Sequence, residues 1–128
     1  MADWIVVVDD DIINLKVARD MLHESGLKVS AAKSGKDFLR FMNNNRPDLV
    51  LLDIRMPEMD GFEVYERLRA FEQEAGISNT PVIFLTAMDD ASVKARCLEM
   101  GAADFVRKPF QRDDLLQRIE HVISESKK

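Results

Sequence analysis

The sequence has few of the residues that build disulfide scaffolds or metal–thiolate centres. It contains one cysteine, Cys97, and two histidines among 128 residues. One cysteine cannot form an internal disulfide, so we expect a chain that is kept reduced in the cytoplasm. Because no cluster of histidine with cysteine occurs, the sequence also argues against a zinc site.

Long hydrophobic runs and an excess of basic residues are absent as well. Apolar runs such as Ile5–Val8 are far shorter than the roughly 20 residues that a membrane-spanning helix needs. Three aspartates follow that run directly and no basic segment precedes it, unlike in a secretion signal. Acidic residues outnumber basic ones by 23 to 18, for a net charge of −5. We therefore expect neither a membrane nor a nucleic acid as a direct partner.

The sequence does have an alternation of strand-like and helix-like segments. Three of the strand-like runs are apolar without alternation, which is typical of parallel strands buried on both faces. The pattern predicts an α/β fold: a (βα)5 doubly wound parallel five-stranded sheet with the flavodoxin-like order 2-1-3-4-5. We expect a single domain over residues 1–128, with an extended helix end and a polar surface loop over residues 72–80 and a frayed tail at 124–128. The predicted strands are 4–8, 28–31, 48–52, 81–85 and 103–106.

Polar residues follow the predicted strands at their carboxyl ends, where parallel sheets form their sites. Asp9 and Asp10 follow the first strand and Asp53 follows the third, which is its neighbour in the predicted order. Two carboxylates about 4 Å apart repel by about 4 kcal/mol at a moderate dielectric, so three together need a cation or raised pKa values. Hard carboxylate oxygens favour Mg²⁺. Thr86 and Lys108 follow the fourth and fifth strands and would bind the oxygens of a phosphoryl group.

Each of these residues, taken alone, also has a purely structural explanation. Asp11 is a good N-cap for the first helix, and Thr86 could cap a helix in the same way. Asp53 could begin a turn, and Lys108 could be a solvated loop cation. Their joint position at one edge of the sheet is what favours a site.

Four motifs carry these residues: VVDDD (Val7–Asp11), LLDIRMPEMDG (Leu51–Gly61), LTA (Leu85–Ala87) and GAADFVRKPF (Gly101–Phe110). Together they resemble the receiver domain of two-component response regulators, over essentially the whole chain. The resemblance implies that Asp53 takes a phosphoryl group from the phosphohistidine of a histidine kinase.

The resemblance also implies roles for the residues around Asp53. Mg²⁺, with Mn²⁺ as an alternative, would be held by Asp9, Asp10, Asp53 and the backbone carbonyl of Arg55. The phosphate-binding and switch residues would be Thr86, Ala87, Lys108 and Phe105, and the Lys108–Pro109 bond would be cis. A shift of Thr86 and an inward rotation of Phe105 would change the face made by the fourth helix, the fifth strand and the fifth helix. Arg55 and Met88, beside the site, would tune the lifetime of the phosphoryl group.

The implied partners are a histidine kinase or phosphotransfer protein and an output domain or target protein, with a homodimer through the switching face as a further expectation. The chain would be a phosphoacceptor that assists its own phosphorylation and dephosphorylation, and not an enzyme. The alternative is a Mg²⁺-dependent phosphatase similar to the haloacid dehalogenases, which Asp9-x-Asp11 imitates. Ile13 stands where that class has Thr or Val, and the later paired-acid motif is missing.

Overall fold

The structure, a computed structural model, describes residues 3–87 and 91–127. Within these residues the chain alternates five strands with five helices, and every strand pair is parallel. The strand order is β2-β1-β3-β4-β5, so the predicted α/β fold and its topology are confirmed. The elements are β1 (Trp4–Val8), α1 (Ile12–Glu24), β2 (Lys28–Ala32), α2 (Gly35–Met42), β3 (Leu49–Asp53), α3 (Gly61–Ala75), β4 (Val82–Thr86), α4 (Ala91–Glu99), β5 (Asp104–Arg107) and α5 (Arg112–Ser126).

Helices cover both faces of the sheet. On one face, alternate residues of β1, β3 and β4 pack against α2, α3 and α4, and on the other face the remaining residues pack against α1 and α5. This explains why the sequences of β1, β3 and β4 show no alternation. Each fully buried large apolar side chain contributes about 1.5–3 kcal/mol, so the sheet is the rigid platform of the molecule.

Local signals in the sequence set the helix ends. The Asp11 side chain accepts hydrogen bonds from the backbone N–H groups of Ile13 and Asn14, which makes it the N-cap of α1. Ser34 caps α2 by accepting from the N–H of Asp37. Gly76 ends α3 with a φ of 69°, a left-handed conformation that favours glycine. None of the described helices is long and apolar enough to cross a membrane.

The end of the chain is more ordered than predicted. We predicted a frayed tail at residues 124–128, but α5 continues to Ser126. Val122 and Ile123 are buried in the last turns of α5, and Lys127 Nζ lies 2.9 Å from Asp3 Oδ1. The helix therefore extends through Ser126 from a buried turn at residues 122 and 123, while residues 124–127 are exposed.

The connection between α3 and β4 follows the prediction in outline, because α3 extends to Ala75 and residues 76, 78 and 79 are exposed, but Glu72 and Thr80 at its two ends are buried. Glu72 is 0% exposed, and its carboxylate accepts from the N–H of Thr80 at 2.6 Å and from Arg69 Nη1 at 2.7 Å. Arg69 Nη1 also donates to the carbonyl of Thr80 at 3.0 Å. These contacts fasten the connection to α3 from within, so its polar residues are partly buried.

Candidate functional site

Three carboxylates meet at the carboxyl ends of β1 and β3. Asp53 is the last residue of β3, and Asp9 follows the last residue of the neighbouring β1, whose Val8 lies beside Leu52. One carboxylate oxygen each from Asp9, Asp10 and Asp53 lies within 4.8 Å of the others. Asp9 is 2% exposed and Asp53 is 5% exposed, whereas Asp10 is open to solvent. The strand register therefore produces the acidic cluster that the sequence predicted.

Lys108 inserts its ammonium group into this cluster. Its Nζ lies 2.7 Å from Asp9 Oδ2 and 3.1 Å from Asp53 Oδ1. The cis bond between Lys108 and Pro109 is as predicted, and the Lys108 N–H donates to the carbonyl of Thr86 at 2.7 Å. Burial disfavours the lysine charge, but the hydrogen bond to Asp9 and the charge of Asp53 outweigh burial and raise its pKa. Lys108 is therefore charged at neutral pH.

Asp53 is the carboxylate whose ionisation is most affected. Burial and then the charge of Asp9 raise its pKa to about 6, and Lys108 only partly offsets them. One ammonium is thus too little positive charge for three carboxylates. A divalent cation would supply the missing positive charge, and the hard oxygen donors of the cluster fit Mg²⁺.

The loop after Asp53 folds back onto the backbone of β3. The Gly61 N–H donates to the carbonyl of Ile54 at 2.7 Å. A Cβ at Gly61 would lie 2.8 Å from the Cα of Ile54 and closer still to the carbonyl oxygen of Asp53. Only glycine fits at this position, so the first turn of α3 rests directly on the residue that carries the central carboxylate.

The remaining predicted residues line neighbouring strand ends. Thr86 ends β4, is 1% exposed, and lies one strand from Asp53, which is in register with Leu85. Ala87 follows it and is exposed, as is Arg55 in the loop after β3. Phe105 on β5 is in register with Phe84 on β4. It is partly buried against the core that α2, α3 and α4 cover. Met88 lies outside the described residues.

The structure thus brings Asp9, Asp10, Asp53 and Lys108 into one cluster and leaves Asp11 outside it as a helix cap. Two features were missed from sequence. The carboxylate of Asp9 also accepts the N–H of Asp11 at 2.9 Å, which fixes its orientation, and Gly61 is required by a close approach. The Asp-x-Asp spacing could have suggested the first feature, because aspartate often bonds the N–H two residues on. No local signal identified the second.

Comparison with known proteins agrees with this geometry. Residues 5–120 match the profile of the response regulator receiver domain family. The chain is 38% identical over 119 residues to the response regulator MprA of Mycobacterium sp. (strain KMS), covering 93% of this chain and 50% of that protein. It therefore spans about half the length of such curated relatives.

Two solved structures are similar along their whole length. The receiver domain of Francisella response regulator 1452 has a TM-score of 0.86 at 31% identity, covering 97% of this chain and 98% of that one. The BeF3-activated DrrB receiver domain has a TM-score of 0.82 at 31% identity, covering 97% and 99%. Receiver domains bind Mg²⁺ at an acidic pocket, and this chain has such an aspartate cluster. The alternative prediction of a dehalogenase-like phosphatase has no support.

Proposed function

The chain belongs to the response regulator receiver domain family, a class of phosphorylation-controlled signalling modules, and on that premise we propose that Asp53 is its phosphoacceptor. The observation that carries the proposal is the position of Lys108 Nζ between the buried carboxylates of Asp9 and Asp53, at 2.7 and 3.1 Å. A lysine in contact with both carboxylates faces the place where phosphoryl oxygens would lie. A purely structural ion pair of Lys108 would not need a third carboxylate. Here a carboxylate oxygen of Asp10 lies within 4.8 Å of those of Asp9 and Asp53, which favours a binding site.

We propose that Asp9, Asp10, Asp53 and the backbone carbonyl of Arg55 hold Mg²⁺. The ion supplies positive charge that lets a carboxylate and a phosphoryl group approach each other. Asp9 is buried and oriented by the Asp11 N–H, whereas Asp10 is exposed and open to the solvent from which the ion comes. Lys108 adds a positive charge of its own beside Asp9 and Asp53.

The proposed transfer has a simple balance of bonds. A carboxylate oxygen of Asp53 attacks the phosphorus of a phosphohistidine, the phosphorus–nitrogen bond breaks, and the imidazole leaves with the electron pair and takes up a proton. The product is an acyl phosphate on Asp53. Lys108 moves its hydrogen bond from the carboxylate to a phosphoryl oxygen, and the Thr86 hydroxyl donates to another. The chain receives the group once per cycle, so we propose a phosphoacceptor and not an enzyme.

The readout and partners complete the proposal. Recruitment of Thr86 would favour the inward position of Phe105 and change the α4–β5–α5 face. The donor would be a histidine kinase or phosphotransfer protein and the recipient an output domain or target. Within this chain Arg118 Nη1 lies 3.0 Å from Asp104 Oδ1 on that face, so a homodimer there would have to exchange or surround this pair. The cytoplasmic location stays a prediction.

The test is covalent labelling. We expect acetyl phosphate with Mg²⁺ to add one phosphoryl group to the wild-type chain, and Asp53→Asn to abolish the addition, as measured by intact mass. Asp11→Asn is a matched control, because asparagine also caps helices and Asp11 lies outside the cluster. Undiminished labelling of Asp53→Asn would place the acceptor elsewhere.

A further inference from the structure

Helix α4 is held to the molecule by few side chains. Of its nine residues, all within the described part of the chain, Cys97 alone is buried, whereas α3 and α5 bury six and four residues. Val93 is only partly buried, and Leu98 is 53% exposed. A helix with so little buried apolar surface can open locally at low cost. Any further contact between α4 and its neighbours therefore contributes strongly to holding α4 in place.

Arg96 supplies such a contact. Its guanidinium carbon lies 4.0 Å from the centroid of the Phe62 ring at the start of α3. The phenylalanine is 6% exposed, and its ring packs on Phe84 of β4 with centroids 5.5 Å apart. A cation over a ring that is buried elsewhere is attracted by the ring face and excludes water from it. Arg96 thus joins α4 to α3 through an aromatic side chain.

The Phe62 ring is linked through Phe84 to Thr86 and Phe105, the residues that would respond to a phosphoryl group. It follows Gly61, which rests on the backbone of Asp53 and Ile54. Its partner Phe84 is two residues before Thr86 on the same face of β4 and is in register with Phe105. A movement of the end of β4 toward Asp53 would therefore shift Phe84, and with it the contacts of Phe62 and Arg96.

We propose that Arg96 is a positioning residue that latches α4 onto Phe62 in the unphosphorylated chain, and that phosphorylation of Asp53 releases this latch. The second half of the proposal rests on the proposed function. The contact suits a latch because it is attractive but individually modest, so a phosphoryl group can outweigh it. By linkage, whatever loosens the latch strengthens the binding of a phosphoryl group to the same extent.

The sequence supplies its own reporter of α4 opening. Cys97 is the one cysteine of the chain. It is 0% exposed and is the buried residue of α4. Burial raises the pKa of its thiol to about 11, and the neighbouring Arg96 charge only partly offsets this, so the closed form reacts slowly. Loss of the Arg96 charge would by itself slow the thiol reaction, so a faster reaction in Arg96→Gln can only report opening of α4. The rate of its reaction with dithionitrobenzoate measures how often α4 opens. This readout needs neither phosphate nor Mg²⁺.

The first test compares variants of this chain. Because Arg96 is exposed, we expect Arg96→Gln to raise the Cys97 reaction rate by about 2- to 5-fold, the range that an exposed cation–π contact implies, and Arg96→Lys to raise it less. Lys94→Gln removes the same charge from the same helix, has no aromatic ring under it among the described residues, and should leave the rate unchanged. Equal effects of Arg96→Gln and Lys94→Gln would overturn the latch.

Two further measurements separate the latch from a general loss of stability. In a Phe62→Leu background, Arg96→Gln should change the rate by less than about twofold, because the ring that it needs is gone. Urea unfolding of each variant gives its global stability. If the rise in the Cys97 reaction rate of Arg96→Gln is fully explained by its lower free energy of unfolding, local opening of α4 is contradicted. This comparison does not depend on Phe62→Leu, so it holds even if that variant folds poorly.

The second test adds beryllofluoride with Mg²⁺ as a stable mimic of the phosphoryl group. We expect the Cys97 rate of the wild-type chain to rise and the difference between wild type and Arg96→Gln to shrink. Acetyl phosphate labelling of Asp53 is measured on the same samples. If Asp53 is labelled but beryllofluoride leaves the Cys97 reaction rate unchanged, the release of the latch is overturned and the proposed function stands. If Asp53 is not labelled but Arg96→Gln still raises the Cys97 reaction rate, the latch stands and the proposed function is rejected.

Discussion

At the scale of the residue, the charge balance of the site depends on Lys108. Its ammonium is the cation that the described structure places against both Asp9 and Asp53. We expect Lys108→Ala to permit some labelling of Asp53 by acetyl phosphate, because Mg²⁺ still supplies charge, but to weaken the conformational response. Amide NMR spectra with and without beryllofluoride measure that response. A wild-type pattern of shifts in Lys108→Ala would contradict the role that we give to Lys108.

Asp53 gives the site a pH dependence in metal-free buffer. Its pKa is about 6 in the folded chain and about 3.9 in an unfolded one, so the folded chain binds this proton more tightly. Stability from this group is therefore present at low pH and is lost as pH rises from about 4 to about 6. Asp53→Asn, which cannot ionise, should be more stable than wild type at pH near 7.5 by up to about 3 kcal/mol, a difference that already includes the ion pair with Lys108 because Lys108 contributes to the shifted pKa.

Urea unfolding in the presence of a chelator, at about pH 4 and about pH 7.5, measures this difference. At the lower pH both chains carry a largely neutral side chain at position 53 in the folded state, and the gain should shrink. A gain of equal size at both values would mean that ionisation of Asp53 is not its cause.

At the scale of the element, the connection from α3 to β4 is stabilised by a buried charge. Glu72 bonds Arg69 and the N–H of Thr80, so Glu72→Ala would leave that N–H without its partner and Arg69 without its counter-charge. We expect a loss of about 2–3 kcal/mol, lower than for a fully buried pair because the Arg69 side chain is 21% exposed. Glu74→Ala, at an exposed position two residues on, should cost less than about 0.5 kcal/mol. Equal losses in denaturant unfolding would contradict this account.

The elements themselves were largely predictable, and the exceptions have physical causes. Continuous apolar runs identified β1, β3 and β4, and Asp11 was recognised as a cap of the first helix, because these signals act within a few residues. The burial of Glu72 was not predictable, since it depends on Arg69 and Thr80 meeting across a loop. Asp53 and Thr86 end their strands, one residue beyond the predicted limits, because sheet pairing continues into polar residues.

At the scale of the whole molecule, the acidic cluster links stability to Mg²⁺. An ion that binds only the folded chain raises the free energy of unfolding with the logarithm of its concentration. We expect the thermal midpoint of the wild-type chain to rise with added Mg²⁺ and to rise much less in Asp10→Ala, because Asp10 is the exposed member of the cluster. Calorimetric titration checks the affinity directly. An unchanged titration in Asp10→Ala would remove Asp10 from the proposed ligands.

The candidate site could be predicted from sequence because the topology alone brings its parts together. Parallel strands in the order 2-1-3-4-5 set the ends of β1 and β3 side by side, so Asp9 and Asp53 meet whatever their detailed surroundings. The raised pKa of Asp53 and the approach of Gly61 to the β3 backbone depend on packing within a few ångströms. Such distances are decided by the complete fold and have no local signature.

The ion pair between Asp3 and Lys127 shows that the first and last described residues lie next to each other. Both ends lie beyond the amino end of β1, and five residues of strand, about 17 Å, separate them from the carboxylates. A fluorophore attached at residue 3 or at residue 127 would therefore sit at the pole of the molecule remote from Asp53 and would not touch the carboxylates.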